Sequence, residues 1–580
     1  MSDDHDLQSQ LESLVRTATV EAFGPELADV DPLVRRSDRA DFQADLALGL
    51  AKRTKKPPRA VAEAIVAKID TTSSPLLESI EIAGPGFLNL TLRATFLGET
   101  CARVLADARL GVPEASLKDT VVIDYSAPNV AKEMHVGHLR TTLIGDALAR
   151  LLEHRGHRVV RQNHLGDWGT PFGMLIEHLH DLGSEQAESD LAVGELSAFY
   201  KAARAKFDAD PAFAERSRKR VVMLQAGDET TLASWQVLVT LSKRYFESVY
   251  EKLDVTMRTG DACGESFYNG KLAPLCDELA KGGKATISEG ALCLFPAGYT
   301  NKEGEPLPLI VRKTDGGFGY ATTDLAAIRY RLDDLGGTRL LYVVGAPQAQ
   351  HLGMVFQAAK ELGWLASPKR AEHVAFGSVL GTDKRMYKTR SGETVRLVDL
   401  IDAAIERALA VLAEKAPELD AETRDDIAKM VGIGSIKYAD LSSDRVKDYV
   451  FDLDRMVSFD GNTAGYLQYA YARVRSVFRK AGVDGGKGAI LVAEKEERAL
   501  ALALLAFPSA IRAVETTLEP HKLTGYLYGL AMTFTSFYEK CPILKSEGAT
   551  RESRLSLADL TARTLAEGLR LLGIRVPEKM

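Results

Sequence analysis

The chain has 580 residues, 46% hydrophobic and 26% charged, with a net charge of −7. That length exceeds a single core and predicts roughly three or four domains, while the composition excludes a disordered or collagen-like chain. An acidic balance argues against a surface that is basic throughout, so a nucleic-acid partner would have to rely on local stripes such as Lys52 to Lys56, Arg216 to Arg220 and Arg473 to Lys480.

Residues 1–112 read as a small α/β unit. Apolar residues at helical spacing predict a helix over Leu7–Phe23 and another from Phe42 to Lys52; a break at Pro57 and Pro58 precedes a helix running through Ile69. Ser79 to Leu92 predicts two strands around the turn Gly84, Pro85, Gly86. After a linker near Pro113 the pattern becomes strand (Val121 to Tyr125), helix (His138 to Glu153) and strand (Arg158 to Gln162), a parallel βαβ unit. It recurs as a strand at Leu340 to Val344, a helix over Gln348 to Leu362 and a strand at His373 to Val379. Two such halves predict a Rossmann-like, doubly wound parallel sheet with its ligand at the topological switch point. Between them, at about 185–335, lies an insertion, helical and charged from Leu196 to Lys252, then Gly-rich with strands near Ala291 to Phe295 and Leu309 to Lys313. From about Arg396 the chain reads as helices, with apolar and aromatic residues at helical spacing in Tyr466 to Phe478, Ala499 to Leu518 and Leu523 to Tyr538. The expected divisions are 1–112, 113–400 with its insertion, and an all-α bundle over 401–580.

No run of about 18 apolar residues is evident, so no membrane span is expected. Met1 to Leu7 is acidic and has no apolar stretch, so no secretory signal is expected either. Cys101, Cys263, Cys276, Cys293 and Cys541 include no CxxC pair, which predicts buried thiols in a reducing cytoplasm rather than a zinc site or disulfide framework.

The most informative stretch is Ala127 to Arg140, which carries His135-Val136-Gly137-His138 between a strand and an amphipathic helix. A helix N-terminus after a tight turn is an anion site, because free N–H groups and the helix dipole point at one spot. The P-loop pattern is absent, and no strand is followed by GxGxxG. His135 and His138 are therefore candidates to donate hydrogen bonds to phosphoryl oxygens, with Gly137 letting a purine approach the backbone. The bland alternative is a pair of surface histidines in a helix cap. A second element, Gly381 to Gly392, carries Lys384, Arg385, Lys388 and Arg390 on a loop, and such cations can neutralise a leaving pyrophosphate.

These motifs resemble those of class I aminoacyl-tRNA synthetases, and specifically arginyl-tRNA synthetase. His135 to His138 matches the HIGH signature of the class. Ala127 to Arg140, Asn163 to Gly169, Ala321 to Ala327, Asn462 to Arg473, Gly573 to Met580, Asp41 to Gln43 and Ala83 to Asn89 resemble the arginine enzyme in particular. The resemblance covers nearly the whole chain. It implies an arginine–tRNA ligase that uses ATP, with Mg2+, to form arginyl-adenylate and then charges the 3′ end of its tRNA. It implies ATP binding by His135, Gly137, His138 and Lys388, and catalysis by Lys132, His135, His138 and Lys388. Arg385 to Thr389 stands where the class has KMSKS, but its first lysine is an arginine and both serines are replaced. Family members with such a degenerate loop resemble one another in a lysine just before HIGH, which Lys132 matches.

For arginine, the resemblance implies binding by Asn129, His138, Tyr320, Asp324 and Gln348, with Glu265 a second carboxylate. A planar guanidinium is best read by a carboxylate in a two-point contact, which Asp324 suits. The bland alternatives are an N-capping role for Asp324 and a helix-start role for Gln348. For tRNA it implies an N-terminal domain that reads the elbow (D-loop) through Phe87 and Asn89, and an anticodon-binding helical domain. Phe87 reads equally as a residue packed in its own sheet, and the C-terminal aromatics at helical spacing as core. A cytoplasmic monomer is expected, with tRNA, arginine and ATP as partners and no bound metal of its own. Two other readings stay open: a nucleotidyltransferase with an HxGH site and no tRNA, and a catalytically silent tRNA-binding paralogue, supported by the altered loop.

Overall fold

In the computed structural model, which describes residues 6–183, 196–387 and 395–580, the helix Leu7–Phe23 forms where its sequence pattern places it. Leu7, Leu11, Val15 and Ala18 are buried, and the Asp6 carboxylate caps the N-terminus by accepting from the Gln8 N–H at 3.2 Å. Strands β1 (Val34–Arg36) and β2 (Phe42–Ala44) follow, then helices Leu46–Thr54 and Pro58–Val66, then strands β3 (Leu77–Ala83) and β4 (Phe87–Leu92). The helix expected from Phe42 therefore starts at Leu46, because Phe42–Ala44 pairs antiparallel with β1 on one side and β4 on the other. The next helix stops at Val66 rather than running through Ile69. The sheet order is β1-β2-β4-β3, and Gly84 and Gly86 close the β3–β4 turn with φ of 52° and 143°, values open to glycine at little cost.

Residues 1–114 and 458–580 pack as one unit, and 115–457 as another. In the first, the Arg498 guanidinium grips the Asp41 carboxylate with two hydrogen bonds of 2.9 and 2.6 Å, tying helix Lys495–Leu504 to the sheet. The segment Lys495–Thr517 contains an 18-residue window with a mean hydropathy of 1.5, apolar enough by length and composition to cross a membrane, which qualifies the sequence reading. It is two helices, Lys495–Leu504 and Phe507–Thr517, with Pro508 in the first turn of the second; an expected single helix over Ala499 to Leu518 is thus broken where proline cannot continue it. Both pack against helix His521–Lys540, and the first also against Gly548–Leu571; helix Ala464–Ala481 joins the bundle through those two.

The second unit holds a parallel sheet in the order β11-β10-β5-β6, built from β5 (Thr120–Asp124), β6 (Arg158–Gln162), β10 (Arg339–Tyr342) and β11 (Arg370–His373). From β5 the chain crosses through helix Leu139–His154 to β6, and from β10 through Ala349–Glu361 to β11, in the opposite direction. The carboxyl ends of β5 and β10 are therefore the switch point. The last strand is shifted from the sequence expectation: β11 ends at His373, in register with Tyr342 at the sheet edge, and the apolar residues Val374, Phe376 and Val379 are buried beyond it. The insertion contains helices Leu196–Ala209, Pro211–Ala226 and Glu229–Lys252, with Asp210 and Asp228 capping the last two. It also contains an antiparallel sheet of β7 (Thr286–Ser288), β8 (Ala291–Leu294) and β9 (Leu309–Arg312). Beyond the main sheet, β12 (Val379–Leu380) pairs in parallel with β13 (Tyr449–Val450). All five cysteines are free and buried.

Candidate active site

The loop after β5 is held in a costly conformation. Ser126, Ala127 and Ala131 have φ of 74°, 47° and 59°, a region that costs a non-glycine residue about 1–2 kcal/mol. The surroundings fix it. The Ser126 N–H donates to Thr141 Oγ1 at 3.0 Å, the Ala127 N–H to Asn163 Oδ1 at 3.0 Å, and the Ala131 N–H to Ser242 Oγ at 2.9 Å. Val130 N–H donates to the Gly166 carbonyl at 3.0 Å, and Gly166 N–H to the Pro128 carbonyl at 3.2 Å. Strain over-determined in this way is a mark of a functional loop.

The loop leads into a 3-10 turn, Val136–His138, at the N-terminus of helix Leu139–His154. The two histidines are locked by the backbone. His135 Nδ1 accepts from the Gly137 N–H at 3.0 Å, and His138 Nδ1 accepts from the His135 N–H at 3.1 Å. An imidazole whose Nδ1 accepts must, when neutral, carry its proton on Nε2. Burial and then the neighbouring His135 hold His138 down to about 3, while burial and the Lys132 ammonium lower His135. Near neutral pH both rings are uncharged Nε2–H donors, with centroids 4.1 Å apart. Gly137 has a second role that its sequence does not reveal: a Cβ there would lie 2.7 Å from His135 Cε1. Lys132 is exposed in the same loop, its ammonium 4.3 Å from the centroid of the Tyr200 ring on helix Leu196–Ala209.

The cationic loop begins at β12. Gly381 N–H donates to the Arg385 carbonyl at 2.7 Å and Tyr387 N–H to the Val379 carbonyl at 3.2 Å, so Lys384 and Arg385 sit exposed on a tight turn. Lys388 and Arg390 lie outside the described residues. Where the described chain resumes it pairs with the histidine loop: Val136 N–H donates to the Val395 carbonyl at 3.0 Å and Leu397 N–H to the Met134 carbonyl at 2.9 Å. The histidine loop and the segment that follows the cationic loop, some 250 residues apart in sequence, are thus joined by backbone hydrogen bonds. Buried Arg140 adds a second tie. It pairs with Asp440 at 3.2 Å, donates to the Lys447 carbonyl at 2.8 Å and stacks on Tyr449 of β13.

A second group of side chains is acidic. Asp324 lies in the second turn of helix Tyr320–Asp333, whose N-cap is Gly319, so the capping alternative does not hold. Its Oδ2 lies 2.6 Å from His351 Nε2, and this hydrogen bond raises the His351 pKa. Burial, then the Asp167 and Asp324 carboxylates, push Glu265 up to about 7. Asp167 is raised by burial although the Ser266 N–H and Oγ donate to it at 2.8 and 2.7 Å. Asn129 is exposed on the β5 loop and covers Gly166, where a Cβ would fall 2.2 Å from its Oδ1. Tyr320 is 76% exposed one turn before Asp324, and Gln348 is exposed one turn before His351. At the end of β5, Asp124 is already neutralised by buried Arg331, at 2.7 Å.

The structure thus brings Lys132, His135, Gly137 and His138 together on one loop and the turn it leads into, and Asp324, Glu265 and Asp167 into one acidic group. Sequence reasoning missed His351, Asp167, Tyr200 and the Asp124–Arg331 pair. A histidine three residues after Gln348, on the same helix face, was the available signal for the first. In the other unit, Phe87 is half-buried and lines a cavity of about 410 Å³ with Arg35, Arg36, Arg39 and Gln43. Asn89 is 7% exposed within the sheet.

This geometry agrees with similarity across the chain. The family described as class I (R) tRNA synthetases, catalytic domain, matches residues 100–453, more than half of the sequence. The chain belongs to the arginyl-tRNA synthetase family. The arginyl-tRNA synthetase N-terminal domain matches residues 9–92 and the DALR anticodon binding domain residues 467–580. An arginine–tRNA ligase of Thermobifida fusca (strain YX) is 55% identical over 99% of this chain and 100% of its own length. The arginyl-tRNA synthetase of Plasmodium falciparum has a TM-score of 0.83 at 27% identity, covering 99% of both chains. That of Thermus thermophilus has a TM-score of 0.83 at 25% identity, covering 99% of this chain and 100% of its own. The switch-point sheet is accordingly the α/β catalytic fold of the family, and the acidic group lies in the same unit.

Proposed function

We propose that the chain is an arginine–tRNA ligase whose adenylation site is built on Lys132, His135 and His138 and whose arginine pocket is built on Asp324. The observation that carries this reading is the pair of uncharged Nε2–H donors, fixed by backbone hydrogen bonds at a helix N-terminus beside an exposed lysine.

In the first step the arginine carboxylate attacks the α-phosphorus of ATP. An oxygen–phosphorus bond forms, the bond from the α-phosphorus to the bridging oxygen breaks, and pyrophosphate leaves with the electron pair. Charge grows on the phosphoryl oxygens as the phosphorus becomes pentacovalent. His135 and His138 donate to those oxygens without having to lose a proton or reorient. Lys132, with Lys388 of the cationic loop, neutralises the departing pyrophosphate, and Gly137 keeps the floor of the ATP site open. ATP enters with Mg2+ on its phosphates. In the second step the terminal ribose hydroxyl of tRNA attacks the carbonyl of the mixed anhydride, and AMP leaves.

Arginine is held at both ends. Asp324 takes the guanidinium in a two-point contact, Glu265 supplies further negative charge, and Tyr320 flanks the side chain. Asn129, His138 and Gln348 hold the polar groups of the amino-acid backbone. Residues 1–112 bind the tRNA elbow, with Phe87 stacking and Asn89 two residues further along the same strand. The helices of 401–580 bind the anticodon, and 113–400 carry the chemistry. The enzyme acts as a cytoplasmic monomer. ATP–pyrophosphate exchange tests the reading: it should require arginine and depend on added arginine tRNA. Exchange supported equally by another amino acid would overturn it.

A further inference from the structure

We propose that His351 is a positioning residue for arginine recognition, donating from Nε2 to Asp324 Oδ2 so that the carboxylate is held in one plane for the incoming guanidinium. The inference rests on the reading of Asp324 as the guanidinium partner. Rotation of a carboxylate about its last side-chain bond is broad, so an unsupported aspartate presents its two oxygens in many orientations. A guanidinium fork reads both oxygens in one plane, and that plane has to be set in advance. His351 sets it. Asp324 and His351 stand on helices Tyr320–Asp333 and Ala349–Glu361, which share one core through Leu325, Ile328, Leu352 and Val355.

The contact of 2.6 Å is short, and both side chains are partly screened, at 33% exposure for His351 and 23% for Asp324. Among the described residues no other side chain hydrogen-bonds Asp324, which leaves Oδ1 and the second lone pair of Oδ2 for a ligand to claim. The raised pKa of His351 has this hydrogen bond as its first cause, which fits a donor committed to a carboxylate. A competing role for the same contact is a counter-ion that occupies Asp324 and must be displaced by substrate. The two roles predict opposite changes in arginine affinity.

The test uses the full chain with tRNA, following arginine-dependent kinetics in His351→Gln, His351→Asn and Asp324→Asn. A glutamine amide nitrogen reaches the position of imidazole Nε2 and donates there; an asparagine ends near Nδ1 and falls short. His351→Asn should raise the KM for arginine about tenfold, the worth of a hydrogen bond to a charged group, with kcat and the KM for ATP within about twofold. His351→Gln should recover to within about threefold of the parent. Equal impairment of the two variants, no change in either, or a lower KM for arginine in His351→Asn would overturn the proposal. Asp324→Asn separates the underlying reading: an unchanged KM there removes Asp324 from the pocket, whereas a large loss there with an unaffected His351→Asn removes His351 alone.

Discussion

Replacing Gly137 with alanine probes the histidine turn with a single methyl group. The new Cβ would lie 2.7 Å from His135 Cε1 and 2.9 Å from its Nδ1, inside the ordinary contact distance of about 3.5–4.0 Å. Gly137 itself is exposed and has no left-handed φ, so alanine is compatible with the backbone and the fold should hold. What yields is the His135 ring, which must swing by about 1 Å. That breaks the Gly137 N–H to Nδ1 hydrogen bond of 3.0 Å and takes the Nε2 donor off its line. One lost preorganised donor is worth about 100-fold in the adenylation rate, or about 2.7 kcal/mol. ATP–pyrophosphate exchange with saturating arginine and tRNA measures it, with the KM for arginine expected to move less than about threefold. The decisive arm is the double variant. If the methyl acts through the ring, Gly137→Ala should cost little more once His135→Ala is in place. A further 100-fold loss in that background would show that the glycine serves the approach of ATP to the backbone and not the histidine, refuting the steric argument.

Lys132→Ala should slow adenylation about 100-fold while leaving the melting temperature close to the parent, since its ammonium rests on Tyr200 at the surface; a rate within a few-fold would show that the cationic loop suffices alone. The KM for arginine should rise as pH falls through about 7, because Glu265, pushed up to that value, gains a proton and loses its attraction for a cation. Glu265→Gln should bind arginine less tightly and flatten that rise, and an unaltered pH profile would remove Glu265 from the pocket. His138 should impose no loss of kcat between pH 6 and 8, because burial holds it down and it takes up its proton only near about 3, and any loss due to His135 should lie below the ordinary histidine range because burial and Lys132 lower it. A kcat that falls with an apparent pKa near the ordinary histidine value of about 6.5 would contradict neutral donors.

What could be read from sequence was local, and what could not was mostly distant pairing. Helix Leu7–Phe23 and strands β5 and β6 were legible because period and caps are written into consecutive residues. The strand placed over His373 to Val379 was displaced because an apolar run signals burial, not pairing: Val374 and Val379 are buried past the end of the sheet. Phe42–Ala44 is too short for its period to mark it as a strand. In the site, the strand–HVGH–helix order pointed to phosphate chemistry, but the tautomers of His135 and His138 follow from backbone N–H groups that no sequence pattern specifies. His351 reaches Asp324 across 27 residues through the packing of two helices, and the histidine loop meets the segment after the cationic loop through Val136 and Val395.

The measurement closest to the central claim is aminoacylation of tRNA with each of the twenty standard amino acids in turn, supplied with ATP. Arginine alone should end as an ester on the 3′ end of its tRNA, and Asp324→Ala should abolish it by removing the guanidinium partner. Stable charging with a different amino acid, or arginine charging undiminished in Asp324→Ala, would contradict the account.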